Sequence, residues 1–147
     1  MKSLIRWLLG LHLFVGVGAV FGGLAAILNP QNPLGAPVEM LRNSPFSDFF
    51  IPGLILFAVI GLGNIAGATT GALKAKYQGY VSGILGCALA IWIVVQCMMI
   101  ETVALPHVLF FAIGLVQAAL ALVILFRNRQ FPMGLILNIY EKLVKGA

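Results

Sequence analysis

The chain has 147 residues, of which 61% are apolar or aromatic and only 9% charged, with 17 glycines besides. A soluble domain carries about 25% charged residues, so a water-soluble globule is excluded, and so is a disordered chain, which needs low hydrophobicity and high charge. Nine Lys and Arg against four Asp and Glu make no nucleic-acid footprint once their positions are read: nearly all the basic residues stand beside the ends of apolar runs, where lipid headgroups lie, and no nucleic-acid partner is expected.

Four runs are long enough for a hydrocarbon core, which takes about 20 apolar residues: 7–28, 51–73, 79–100 and 105–126. None has Lys, Arg, Asp or Glu in its interior. Each is expected to be helical, because backbone groups facing lipid must be satisfied within their own segment. The runs are solidly apolar with no period-two alternation, which excludes a barrel. The fold class is therefore all-α, a four-helix transmembrane bundle forming a single integral membrane domain over 1–147. The first run has a basic start, yet it exceeds the 7 to 15 residues of a signal core and no A-x-A site precedes Asn29-Pro30, so an uncleaved anchor is expected.

Basic residues set the orientation. Lys2 and Arg6, Lys74 and Lys76, and Arg127, Arg129, Lys142 and Lys145 fall on one side of such a bundle, and the other side holds only Arg42 with Glu39, Asp48 and Glu101. The positive-inside rule then places both termini in the cytoplasm.

The outer connection carries Pro30, Pro33, Pro37 and Pro45 plus Gly35, which argues against a long helix. A short interfacial turn is expected over 37–42. Ser44-Pro45 reads as an N-cap with proline at the first helical position, and Asp48 suits the helix dipole there. Helix two would then start outside the core, with Phe46, Phe49 and Phe50 in the interface and a kink at Pro52. After the fourth run, 131–145 reads as an amphipathic interfacial helix. Leu135, Ile136, Ile139, Leu143 and Val144 form one side, and Asn138, Glu141, Lys142 and Lys145 the other, a pattern suited to an anionic membrane surface.

Glycine spacing is the most regular pattern: Gly18 and Gly22; Gly63, Gly67 and Gly71; Gly79 and Gly83. Small residues four apart let helices approach closely in lipid, either within one bundle or between copies of the chain, so a homo-oligomer or a membrane-protein partner is one expectation beside the lipid bilayer itself.

The few polar residues inside the spans are costly unless paired. Asn64 and Gln117 each lie roughly 14 Å from the cytoplasmic end of their helix by the helical rise, and His12 lies shallower on the same side. The trio can tie helices together or line a polar pocket, where His12 supplies the one side-chain type that titrates near neutral pH. An outer cluster of Asp48, Gln96, Glu101 and His107, with Glu39 near, has the residue types for a metal or proton relay, but no recognised ligand spacing. Trp92 and Gln96, four apart, share a face of their helix, which reads as core. Cys87 and Cys97 are separated by roughly 15 Å along a helix, too far for a disulfide, and read as buried small apolar side chains. No nucleophile elbow, phosphate loop or dinucleotide fingerprint is present. No carboxylate lies inside a span to couple proton-driven export. Neither a catalytic residue, a metal site nor a cofactor is assigned.

The stretch Gly22-Gly23, Asn29-Pro30, Leu34-Gly35-Ala36-Pro37 and Ser44-Pro45-Phe46 through Phe50-Ile51-Pro52-Gly53 resembles small four-helix bacterial membrane proteins and, more remotely, the DoxX-like group. The similarity covers the first two helices and their connection, with length and layout matching beyond. It implies the same bundle in a bacterial cytoplasmic membrane. Some DoxX-like proteins take part in quinone-linked redox complexes, but no cysteine pair or ligand motif here carries that chemistry across. Three functions follow as expectations. The first is a non-enzymatic accessory or self-associating subunit. The second is a carrier or pore for a small or lipophilic solute, lined by His12, Asn64 and Gln117. The third is a membrane redox or metal enzyme subunit using Glu101 and His107.

Overall fold

The computed structural model describes residues 2–145, for Lys145 the backbone alone, so the placement of its side chain on the polar side of the tail lies outside the described residues. The architecture is the expected all-α bundle. It comprises α1 (Lys2–Leu28), α2 (Phe50–Ala72), α3 (Gln78–Ile100), α4 (Leu105–Arg127) and α5 (Met133–Lys145). The first four are long and apolar enough to cross a membrane. They run up, down, up and down, as the approaches of Gly16 to Ile65 and Gly23 to Phe57, and of Gly79 to Leu125 and Gly86 to Ala118, require. Lys2 and Arg127, the outer ends of the first and last spans, therefore lie at one end, the termini end, and the long connection at the other. α1 starts five residues before the expected 7, because Lys2 and Arg6 can extend the helix beyond the apolar run without leaving water.

The connection 29–49 folds over the bundle. It contains two 3-10 turns, Pro33–Gly35 and Val38–Leu41, the second filling the turn expected over 37–42. The Phe49 N–H donates to the Pro30 carbonyl at 2.9 Å and brings the ends of the connection together. Leu41 is buried with Trp92 and Met99 of α3, which anchors the loop on the helices beneath it.

The start of α2 differs from the sequence expectation. Ser44 does not cap it: its hydroxyl donates to the Leu41 carbonyl at 2.8 Å and accepts from the Phe46 N–H at 3.2 Å, closing a local turn. The helix begins at Phe50, where Asp48 Oδ1 accepts the backbone N–H at 2.9 Å. Pro52 therefore sits in the first turn, where a missing N–H costs little, and the departure from regular helix comes later. Leu56–Leu62 is a π-helical segment, a wider turn with i→i+5 bonds that often marks a functional region.

Glycines close the interior, though partly at other positions than the stripes suggest. A Cβ on Gly23 would lie 2.6 Å from the Phe57 nitrogen, and one on Gly86 would lie 2.6 Å from the Ala118 nitrogen, with Gly114 opposite. These are backbone-to-backbone approaches of α1 on α2 and of α3 on α4. Gly63 and Gly67 meet Leu85 and Gly79 meets Leu125, whereas Gly18, Gly22 and Gly83 have looser neighbours and Gly71 has none within 4 Å. Cys87 is exposed and Cys97 half-buried, both free, so Cys87 faces outward rather than into the core.

At the termini end, Tyr80 donates its hydroxyl to the Phe131 carbonyl and Gln130 Nε2 donates to the Lys76 carbonyl, each at 2.7 Å. These bonds fasten the start of the tail to α3 and the 73–77 turn. α5 keeps the expected amphipathic pattern, with Leu135, Ile136, Ile139, Leu143 and Val144 all exposed.

Candidate functional site

The polar residues at the termini half of the bundle converge on one point. His12 of α1, Asn64 of α2, Ser82 of α3 and Gln117 of α4 are at most 2% exposed, so each of the four spans contributes one member. His12 Nδ1 lies 2.7 Å from Asn64 Oδ1, and His12 Nε2 lies 2.9 Å from Ser82 Oγ. Gln117 Nε2 donates to Asn64 Oδ1 at 3.0 Å. Asn64 itself donates through Nδ2 to the Ile60 carbonyl at 2.8 Å, at the end of the π segment.

That last bond decides the tautomer. With its amide nitrogen held by Ile60, Asn64 turns its oxygen to His12, and an oxygen at 2.7 Å requires a proton on Nδ1. The neutral ring then offers Nε2 as acceptor to the Ser82 hydroxyl. Gln117 Nε2, although 3.0 Å from Nδ1, has its acceptor in Asn64. The sequence trio is thus brought together, joined by Ser82. Gly67 makes room for the ring: a Cβ there would lie 3.2 Å from His12 Cε1. The arrangement is a closed clamp of donors and acceptors, with Gln117 Oε1 its one buried atom lacking a partner.

The other sequence cluster does not assemble. Asp48 is committed to the Phe50 N–H. His107 Nδ1 accepts the Ala104 N–H at 3.0 Å, half of a capping box at the start of α4. Glu101 is exposed in left-handed conformation with φ 49° and shares a shallow depression with Glu39 and Arg42, away from His107. Among the described residues no group of three His, Cys, Asp or Glu can hold a metal ion. Only Gln96 and His107 of this cluster face a common space.

That space is a cavity of about 170 Å³ between the helices at the loop half, walled by Val15, Ile60, Leu89, Trp92, Ile93 and Phe110 among others. A second cavity of about 280 Å³ lies under the connection, against Pro33, Leu41, Phe49 and Met99. Leu56, Trp92 and Gln96 belong to the walls of both. Trp92 and Gln96 share one face of α3, as their four-residue spacing requires, but they line cavities rather than a filled core, and the space beside them depends on the π segment and the folded loop. Compared with known protein families, with curated proteins and with solved structures, the chain finds no match.

Proposed function

We propose that this chain is a non-catalytic multi-pass protein of the bacterial cytoplasmic membrane that holds a small lipophilic solute at the loop end of its bundle. Both termini are assigned to the cytoplasm, because eight of the nine basic residues stand at the termini end and such residues are retained inside. The exposed apolar side of α5, with Lys142 on the same helix, suits the anionic inner surface. The resemblance of the first two helices and their connection to small four-helix bacterial membrane proteins, and more remotely to the DoxX-like group, agrees with a bacterial membrane.

The observation that carries the proposal is the difference between the two halves. The termini half is closed by the His12 clamp, whereas the loop half keeps cavities walled by apolar side chains with a few polar groups, the usual make-up of a small-molecule site. A pore lined by His12, Asn64 and Gln117 has no support in that geometry, since these side chains bond to one another and line neither of the two cavities described above. The self-associating subunit rested on glycine stripes, and Gly63, Gly67 and Gly79 are engaged within the chain. The enzyme reading needed Glu101 and His107 together.

The test is mass spectrometry of solvent extracts from protein purified in native membrane discs, comparing wild type with Ala19→Leu, which adds side-chain volume to the wall of the inter-helix cavity. A small lipophilic compound near one per chain, lost from the folded variant, is the expected result. Equal extracts from both would overturn the proposal.

A further inference from the structure

Four buried side-chain atoms lack a hydrogen-bond partner among the described residues, and three of them are amide oxygens, on Gln78, Gln117 and Gln130. The fourth is the only donor, the indole nitrogen of Trp92. A buried tryptophan N–H usually finds a partner, and leaving it without an acceptor forfeits a full hydrogen bond. This unpaired donor belongs to the one side chain, 9% exposed, that stands with Gln96 and Leu56 in the walls of both loop-end cavities. Gln96, one helical turn on, brings a second polar group to the same wall.

Size and lining narrow the ligand. An apolar cavity of roughly 150 Å³ is known to hold benzene, and the inter-helix cavity here is about 170 Å³. Its other walls are mostly apolar, Val15, Ile60, Leu89, Ile93 and Phe110 among them, and His107 is the one further polar side chain lining it. We propose that the loop-end site takes a ring-sized lipophilic molecule bearing a carbonyl-type oxygen, whose acceptor receives the Trp92 Nε1–H with Gln96 beside it. The ring occupies the inter-helix cavity, and a substituent can extend beneath the connection toward Leu41 and Phe49. The N–H is shielded in the chain without ligand, so this contact requires the indole to turn about its side-chain torsions. This assignment rests on the solute-binding function proposed above and adds the chemical class.

The probes are acetophenone and ethylbenzene, alike in size but differing by one acceptor. Protein carrying Trp7→Phe, which removes the other tryptophan, itself 71% exposed and remote from the cavity, is labelled on the indole nitrogen and on Ile and Leu methyls. It is placed in discs of ether lipid, which has no ester carbonyls. Methyl shifts of Ile60 and Leu89 report binding to the cavity, referenced to the ligand dissolved in the bilayer, and the indole resonance reports the hydrogen bond. Acetophenone is expected to bind roughly three- to tenfold tighter than ethylbenzene, the worth of one hydrogen bond, and to move the Trp92 N–H resonance downfield. Trp92→Phe keeps an aromatic wall and should bring the two affinities within about twofold. A parallel sample in ester lipid separates the sources of the carbonyl: a downfield resonance before any ketone is added identifies a lipid ester as the occupant. Equal binding of both probes with an unmoved N–H overturns the carbonyl assignment while leaving the cavity as a binding site. Absence of methyl shifts with either probe overturns both. The indole measurement needs no substitution at Trp92, so the outcome does not depend on how Trp92→Phe folds.

Discussion

Asn64 dictates the tautomer of His12. Its amide nitrogen is held by the Ile60 carbonyl at 2.8 Å, so its oxygen, 2.7 Å from Nδ1, leaves only one place for the imidazole proton. Because Nε2 is then a bare acceptor for Ser82, a long-range nitrogen–proton correlation spectrum should show His12 protonated on Nδ1 alone. A spectrum with the proton on Nε2 would contradict the assigned orientation of Asn64.

The clamp also predicts an order of stabilities. Ser82→Ala removes one interhelical hydrogen bond, worth about 0.6 kcal/mol on average in membranes and at most about 1.7. Asn64→Leu leaves both the His12 and Gln117 donors without their acceptor, a loss of about 1–3 kcal/mol. His12→Ala removes the hub and opens a cavity, for about 2–4 kcal/mol. Unfolding in mixed micelles, or steric trapping in bilayers, measures the series. If Ser82→Ala costs as much as His12→Ala, the hub assignment fails.

Glycine substitutions should separate close helix approaches from mere regular spacing. At Gly86, where an added Cβ meets the Ala118 backbone at 2.6 Å, Gly86→Val must push α3 from α4 and should cost about 1–3 kcal/mol or more. Gly71 has nothing within 4 Å, so Gly71→Ala should be neutral or stabilise by up to about 1 kcal/mol through helix propensity. Thermal unfolding of the two variants in discs tests the contrast.

The tail offers a topological measurement. With both native cysteines replaced by serine, single cysteines at Ile136 and Asn138 sit on opposite sides of α5, the first on the apolar face. In spheroplasts opened to expose the cytoplasm, a membrane-impermeant maleimide should label position 138 at least about tenfold faster than 136 if that face is immersed in lipid. Labelling of position 138 in intact spheroplasts would place the tail outside and reverse the orientation.

How much of this was legible depended on whether the signal was local. The spans follow from unbroken apolar runs, and counting helical rise puts Asn64 and Gln117 at one level with His12 shallower on the same side, while their hydrogen bonds are visible only in the folded chain. Ser82 escaped notice because a serine in a membrane helix reads as one more small residue. Yet it lies four positions after Gln78, near the start of α3, and that depth, close to His12 in α1, was a usable signal. The expected cluster of Asp48, Glu101 and His107 misled for the opposite reason. Proximity to one end of a bundle says nothing of direction, and Asp48 and His107 serve nearby backbone N–H groups instead. The cavities had no sequence signature at all, since they arise where the loop, the π segment and α3 fail to fill space together.

The π segment Leu56–Leu62 constrains how this chain can vary. An i→i+5 turn holds about one residue more than an α turn, so deleting a single position there, and letting the coil tighten, would keep Gly53 and Asn64 on the side facing α1. A second deletion has no such slack and would swing the two halves of α2 about 100° out of phase, taking either Asn64 from His12 or Gly53 from α1. The segment should therefore accept the loss of one residue where the regular helix around it would not, and longer changes of length should be tolerated only in the 29–49 connection.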